Sequence, residues 1–273
     1  MKKGIFKRYL IFAKAGFQTL IAYRGNVMLW LFGSLLSATL MGLLWWAIYS
    51  FSDSGVIGGF TYPQMLLYVI LSAAMFEITM SDSMGMIMSD IRDGLIGMRL
   101  MKPISYRLQL MFTSLGIFIG KFIIFGIPTV IVGTLIAVLG FGLTGLVWYN
   151  VLLFVPALVL AFLVNEAYDF LFGQLAFRTQ ATFGINSMSM TISGFLSGRM
   201  VPLSVFPQWA QKVLNFTPFP FMMSMPIRLY LGVVSLPDVA LSFAIAIAWI
   251  IVINIIGKLS YMSSVRKVVV FGG

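Results

Sequence analysis

Six long stretches of this chain carry almost no charge, and each is long enough to cross a lipid bilayer as a helix. The hydrocarbon core of a bilayer is about 30 Å thick, and a helix crosses it with roughly 20 apolar residues. A transmembrane β-barrel would instead show short stretches of alternating polarity. The pattern therefore predicts an all-α membrane protein with six transmembrane helices. The predicted spans are residues 27–49, 61–80, 115–140, 151–172, 181–198 and 236–257.

The connection between the second and third spans, residues 82–109, sets the orientation of the chain. It is the only long connection with several charges of both signs, so we expect it to lie in water. Its cations are Arg92, Arg99, Lys102 and Arg107. Short loops rich in Lys and Arg face the cytoplasm, and further cations precede the first span and follow the last. Both termini are therefore predicted to be cytoplasmic, which leaves Arg199, Lys212 and Arg228 on the opposite side.

Composition excludes several kinds of chemistry. The chain is 60% apolar and has neither Cys nor His, which rules out thiol chemistry, disulfides and His-based metal or acid–base sites. It has no GxxxxGK[ST] motif, so it cannot bind ATP through a P-loop of its own. The net charge of +10 does not indicate nucleic acid, because the cations are distributed to one side of a membrane. A membrane-embedded enzyme is a further alternative, but the few acidic residues do not converge on a catalytic arrangement.

Residues 1–26 are basic and periodic. Apolar residues from Phe6 to Leu20 recur at helical spacing, while Lys3, Lys7 and Lys14 fall on another face. This pattern predicts an amphipathic helix in the cytoplasmic interface, with its cations near anionic lipid headgroups. A signal peptide is the alternative, but no cleavage site of small residues follows a short apolar core.

Four charged residues fall near the cytoplasmic ends of the predicted spans: Glu77, Lys121, Glu166 and Asp169. Charged groups inside a span pair with one another or mark a functional pathway. We expect an ion-pair cluster in the inner leaflet, with a contact from Lys121 to Glu166 or Asp169. Such a cluster would be either a structural salt bridge or a proton relay.

The predicted fifth span is the most polar of the six. Its polar residues are spaced to lie on one helix face: Thr182, Asn186, Ser189, Ser193 and Ser197. This stripe either lines an aqueous translocation pathway or packs against another helix through small side chains. The motifs Gly116-x-x-x-Gly120 and Gly194-x-x-x-Gly198 also permit close helix approach.

The segment 201–236 is rich in proline, so a continuous spanning helix is not expected there. The pieces between prolines are apolar, aromatic and too short to cross a bilayer. They predict an extracellular re-entrant hairpin, which requires protein to cover its free backbone groups.

This layout resembles an ABC-2-type transporter permease. The motifs that carry the resemblance are Ser197-Gly198, Pro202-Leu203, Phe206-Pro207-Gln208-Trp209, Asn215-Phe216-Thr217-Pro218 and Arg228. They are similar to the family's signature between its fifth and sixth spans. Residues 90–94 and Pro103-Ile104-Ser105 are similar to its coupling region. The likeness covers nearly the whole chain, although Arg178 stands where close relatives often have Trp.

The resemblance implies a half-transporter, without enzymatic activity or cofactor of its own, in a bacterial cell membrane. Its implied partners are two cytoplasmic ABC ATPase subunits and a second permease chain, identical or a sister, in a homo- or heterodimer. The implied function is ATP-driven export of an amphipathic substrate such as a drug, peptide antibiotic or lipid. The hairpin would shape the external exit through Pro202, Phe206, Pro207, Trp209, Pro218 and Arg228.

Residues 82–109 are the expected site of ATPase coupling. Ile87, Ile91 and Leu95 recur at helical spacing among several methionines, whose flexible side chains suit a socket that moves with its partner. The charged residues among them are expected to form ion pairs across the interface. The full predicted set is Ile87, Asp90, Ile91, Arg92, Asp93, Gly94, Leu95 and Pro103. The alternative is a membrane-surface helix held by its basic residues.

An ion-coupled secondary transporter is the rival function. It would use Glu166 and Asp169 as proton carriers, and its transport would collapse with the proton gradient. No internal repeat supports this alternative.

Overall fold

The computed structural model of the protein describes residues 2–177, 179 and 182–268. The first five helices are α1 Lys2–Ala22, α2 Arg24–Ser50, α3 Tyr62–Thr79, α4 Ser83–Arg92 and α5 Ile96–Leu100. They are followed by α6 Tyr106–Lys121, α7 Ile127–Leu135, α8 Trp148–Gly173 and α9 Thr182–Leu196. The last helices are α10 Gln208–Asn215, α11 Phe219–Met222, α12 Ser224–Tyr230 and α13 Leu236–Val268.

Within the described residues, five helical stretches are long and apolar enough to cross a membrane. They are Arg24–Ser50, Tyr62–Arg92, Tyr106–Gly140, Trp148–Phe177 and Leu236–Ser263. The prediction of an all-α membrane protein is confirmed. The remaining predicted span, residues 181–198, forms the 15-residue helix α9, while residue 181 lies outside the described part. A sixth crossing therefore stays a prediction.

A small hairpin closes the connection between α2 and α3. Strand β1 Val56–Ile57 pairs antiparallel with β2 Phe60–Thr61, and Gly58 and Gly59 form the turn at φ 57° and 81°. Positive φ at both central residues is the geometry that a two-residue hairpin requires, and glycine supplies it without strain. Helix α3 then begins where the amide of Thr61 donates to Gln64 Oε1 at 2.9 Å.

The third apolar stretch is not a regular α-helix. Five-residue π-helical segments, Phe122–Gly126 and Ile136–Gly140, lie on either side of α7. Pro128 lies in the first turn of α7, directly after the first of these segments. Proline cannot donate a helical hydrogen bond and clashes with the preceding turn, and the wider π turn before α7 accommodates Pro128.

Helices α3 and α8 form the centre of the molecule. In the stretch Tyr62–Arg92, which includes α3, 67% of the most apolar part is buried, against 11% for α2. The short helices α11 and α12 pack into the same core through Phe221, Ile227 and Tyr230. The phenol of Tyr230 reaches Thr134 Oγ1 at 2.8 Å and makes an edge-on contact with Phe154. The protein thus covers the backbone of these short helices, as non-spanning helices at membrane depth require.

Helix α1 packs lengthwise along α6. A Cβ atom at Gly116 would overlap the carbonyl oxygen of Ala13, and one at Gly16 would overlap that of Thr113. The expected close approach at Gly116 is therefore made to a helix of the same chain. The amide of Ser105 donates to the hydroxyl of Tyr9 at 3.0 Å, which fixes the start of α6 against α1. The placement of α1 in the membrane interface stays a prediction.

Candidate functional site

The segment between α3 and α6 folds as an elbow, α4 followed by α5, whose inner side is tied to the rest of the chain. Asp90 is 6% exposed. It accepts a hydrogen bond from the hydroxyl of Tyr106 at 2.8 Å and forms an ion pair with Arg99 at 3.3 Å. Ile87 is fully buried beside Phe170 of α8. Asp90 thus joins α4, α5 and α6 within the chain, whereas the sequence analysis expected it to pair across an interface.

The outer side of the elbow has the opposite character. Arg92 and Asp93 form an exposed ion pair at 3.2 Å. The hydroxyl of Ser89 donates to Asp93 at 2.8 Å, and this bond and Arg92 lower the pKa of the Asp93 carboxyl. Leu95 and Met101 are exposed apolar side chains. This outward face therefore presents charged and apolar groups together.

The predicted coupling residues divide between these two sides. Ile87 and Asp90 point inward, and Ile91 is half-buried. Gly94 ends α4 at φ 68°, a left-handed conformation that glycine adopts without strain. The exposed members of the set are Arg92, Asp93, Gly94, Leu95 and Pro103.

A largely buried ion pair joins Arg107 of α6 to Glu166 of α8. The guanidinium donates to both carboxylate oxygens of Glu166, and to Asn254 Oδ1 at 3.0 Å. It also stacks on the ring of Phe170, 4.2 Å from the centroid. The hydroxyl of Ser83 donates to Glu166 Oε1 at 3.0 Å. Both charges of the pair thus have hydrogen-bond partners, as a buried charge pair requires to be retained.

The expected contact of Lys121 with Glu166 or Asp169 is wrong. Helix α6 begins at Tyr106, well before the predicted start of the third span, so Arg107 reaches the level of Glu166. Lys121 lies fourteen residues further along, which is roughly 21 Å at the rise of an α-helix. The Lys121 ammonium lies over the ring of Trp30 instead, 5.6 Å from the centroid.

The polar stripe of α9 faces the interior of the chain. Its described side chains line a cavity of about 120 Å³ against α3 and α8, which we call the α9 cavity. The stripe residues in its wall are Asn186, Ser189, Ser193 and Ser197. Asp82 and Asp169 also line the cavity, and neither forms an ion pair with a described residue. Thr182 begins α9.

A second, larger cavity of about 480 Å³ lies between α2 and α3, and we call it the α2–α3 cavity. Its wall includes the side chains of Trp30, Trp45 and Tyr68. Phe76 and Arg199 line both cavities, so the two cavities meet at this pair of side chains.

Arg199 is held at this junction by the turn that ends α9. Gly198 adopts φ 84°, and its carbonyl accepts a hydrogen bond from the buried Tyr68 hydroxyl at 2.8 Å. From there the Arg199 guanidinium lies over the ring of Phe76, 3.1 Å from the centroid. The Arg199 side chain therefore packs against α3, and the side of the membrane that it faces stays a prediction. The sequence analysis missed it as a site residue, although it is the first cation after the polar stripe.

The predicted exit-hairpin residues are spread over several short elements. Pro202 and Pro218 are buried, and Phe206 packs on Phe195 with ring centroids 5.2 Å apart. Gln211 Nε2 donates to the carbonyl of Phe206 at 2.7 Å and ties α10 to the preceding loop. The two exposed members are Pro207 and Trp209, and Arg228 is half-buried in α12. The structure thus separates this set into buried supports and an exposed rim.

Comparison with known proteins gives one positive finding. A family model described as ABC-2 family transporter protein matches residues 35–271, which is most of the chain. No curated protein matches this sequence.

Proposed function

Because this chain belongs to the ABC-2 transporter family, and is therefore the multi-pass permease of an ABC transporter, we propose that it exports an amphipathic substrate. Energy would come from ATP hydrolysis in separate cytoplasmic ABC subunits, since the chain has no P-loop. The protein itself would act as the moving channel wall, without catalytic chemistry.

The two-sided elbow formed by α4 and α5 is the observation that carries this proposal. Its outward face offers Arg92, Asp93 and Leu95 to a partner, while its inward face is bonded to α6 through Asp90 and Tyr106. At Gly173 of α8, the absence of a side chain lets Ile87 and the α4 backbone approach closely. A displacement applied to the exposed face of the elbow would therefore reach α6 and α8 through direct contacts rather than be absorbed by a flexible loop.

The substrate pathway would use the two cavities that meet at Arg199 and Phe76. In this proposal the polar α9 cavity faces the cytoplasmic side, because Asp82 and Gly85 at the start of the elbow line it. The α2–α3 cavity leads toward the hairpin, since Pro202 is in its wall. Movement of α3 against α9 would connect and separate them, which is alternating access by a packed interface with two arrangements. The segment 201–236 would then shape the external exit.

A second permease chain, identical or a sister, would complete the transporter. Helix α2 leaves most of its apolar surface uncovered by this chain. In a bacterial cell membrane that surface would be shared between lipid and the second chain. We propose six crossings with both termini in the cytoplasm, with α9 as the shortest crossing helix and α1 near the lipid headgroups.

Inside-out vesicles that contain the permease with its co-purified ATPase test the proposal. ATP should drive accumulation of an NBD-labelled lysophospholipid, and a non-hydrolysable ATP analogue should not. Leu95→Asp on the outward face should abolish ATP-driven accumulation, with the protein still folded. Gly97→Ala is the matched control, because a side chain at Gly97 meets no atom within 4 Å. Accumulation without the ATPase that collapses with the proton gradient would contradict the proposal and support the ion-coupled alternative.

A further inference from the structure

Arg199 is a half-buried cation between packed helices, and no described carboxylate neutralises it directly. All eight acidic residues of the chain lie in the part that the structure describes, and none of them forms an ion pair with Arg199. Glu77 lines the same cavity as Arg199 but forms no ion pair with it. Unpaired charges at membrane depth are unfavourable and tend to be kept for function.

The contact with Phe76 leaves the donors of Arg199 free. The ring lies under the face of the guanidinium, and a guanidinium carries its N–H donors in its plane. Stacking therefore orients the group without using its hydrogen bonds. A planar, pre-oriented set of donors matches a carboxylate or phosphate, which it binds through two parallel hydrogen bonds.

The rest of the α2–α3 cavity suits an apolar chain. Its volume of about 480 Å³ falls within the range of small-molecule sites. Apart from Ser34, Ser37, Ser72, Glu77 and Arg199, its wall is aromatic and aliphatic. Gly33, Ser37 and Met41 also line a shallow groove that continues along α2 between Leu36 and Leu44. An acyl chain can follow this groove away from Arg199 without leaving an apolar surface.

We propose that the α2–α3 cavity binds the anionic headgroup of a long-chain amphipath, a carboxylate or a phosphate, on Arg199, with its chain along α2. The inference rests on the proposed function in that it names the substrate class of the same pathway. Bound there, the headgroup lies at the junction with the α9 cavity, and displacement of the guanidinium from Phe76 would join the two cavities around it.

Equilibrium binding to the full-length chain in a neutral detergent tests the site. The background keeps Trp30 and Trp45, which line the cavity, and replaces the other four tryptophans by Phe. The probes are 9,10-dibromostearate and its uncharged methyl ester, which quench tryptophan fluorescence. The anion should quench at a concentration about tenfold lower than the ester, a ratio that one charge-assisted hydrogen bond can supply.

Arg199→Gln should remove the preference for the anion, and Arg199→Lys should retain part of it. Lys212→Gln, which removes an exposed cation of α10, is the matched control and should change nothing. Gly33→Leu provides a second variant that does not touch the charge. A Cβ atom at Gly33 meets nothing within 4 Å, so α2 should fold normally while the larger side chain obstructs the cavity and weakens quenching by both probes.

Competition distinguishes a headgroup site from a site for small anions. Unbrominated stearate should displace the probe at micromolar concentration, whereas acetate and inorganic phosphate should not displace it at millimolar concentration. Equal quenching by anion and ester, or an unchanged preference in Arg199→Gln, would overturn the proposal. Because binding is measured without nucleotide or ATPase, a failure of ATP-driven export leaves this result intact. Conversely, if Arg199→Gln binds the anion as well as the wild type and ATP-driven export persists, the site is rejected and the proposed function stands.

Discussion

Arg107 and Arg199 both lie among the packed helices of this protein, and they are held in opposite ways. Arg107 is surrounded by hydrogen-bond acceptors, with both oxygens of Glu166 and the amide oxygen of Asn254 in contact. Arg199 has an aromatic ring beneath it and no acceptor among the described residues. Both guanidinium groups stack on phenylalanine, so stacking is not what separates them. The two residues differ in whether the N–H donors of the guanidinium have hydrogen-bond acceptors.

This difference assigns different work to the two groups. A buried charge with all its partners present fixes the helices that carry it, since moving any of them would leave a charge unpaired. Arg107 in this way joins α6, α8 and α13. A cation with open donors fixes nothing by itself, and it remains available to a ligand. The helices α6, α8 and α13 should therefore move as a unit. The junction at Arg199 should instead change its conformation when a ligand binds there.

The largest effect should follow from breaking the occupied pair. Arg107→Ala leaves the Glu166 carboxylate buried with a hydroxyl partner only, and we expect a loss of about 3–5 kcal/mol in the free energy of unfolding. The measurement is unfolding in detergent followed by tryptophan fluorescence. The double variant Arg107→Ala with Glu166→Ala should recover part of the loss, because no charge is left unpaired. A single variant as stable as the wild type would show that the pair does not hold these helices.

A smaller effect is expected at the inward face of the elbow. Asp90→Ala removes the acceptor of both Tyr106 and Arg99, and hydrogen bonds to a charged group contribute about 1.5–3 kcal/mol to stability. We expect a comparable drop in the free energy of unfolding, together with loss of ATP-driven transport. Tyr106→Phe deletes one of the two hydrogen bonds and should fall between Asp90→Ala and wild type. If Asp90→Ala were as stable as the wild type but still lost transport, Asp90 would act on the partner and not within the chain.

Sequence patterns reveal some of these features and miss others for a physical reason. Hydrophobic length is local, so the apolar stretches of α2, α3, α8 and α13 are visible without tertiary information. The start of α6 cannot be seen in this way, because Arg107 and Gln109 make its first turns polar. Hydropathy identifies only the apolar part of the helix. That missed boundary alone caused the wrong partner for Lys121. The single face of the α9 stripe follows from helical periodicity, but what it faces depends on how α9 packs against α3.

Arg199 was missed for a different reason. Its position after a helix-ending glycine predicts a solvent-exposed turn, and the reach of its side chain back to Phe76 depends on the bond from Tyr68 to Gly198. These residues are 130 positions apart in sequence. Such a contact belongs to the packed fold and leaves no periodic signal. The divided roles of Asp90 and Asp93, three positions apart on one helix end, likewise require the neighbouring helices to be in place.

Removing the open cation should change stability little and transport strongly. Arg199 is half-buried, and the cation–π contact that Arg199→Ala loses contributes about 0.5–2 kcal/mol. We therefore expect a free energy of unfolding near that of the wild type, with ATP-driven uptake of a long-chain anion abolished. Uptake of an uncharged amphipath of the same length should persist and serves as the control. A stability loss as large as that of Arg107→Ala would erase the distinction between the two arginines.

The smallest effect on stability is expected at the exposed pair on the outer side of the elbow. Arg92 and Asp93 are largely in water, where an ion pair contributes little to stability, so either single Ala variant should unfold as the wild type does. ATP hydrolysis by the complex should nevertheless fall, because these side chains face the ATPase in the proposed transporter. The exchange variant Arg92→Asp with Asp93→Arg separates the two roles. It keeps an ion pair within the chain but reverses the charge that each position presents. Restored hydrolysis would mean that the pair acts within the elbow, whereas hydrolysis that stays low places it against the partner.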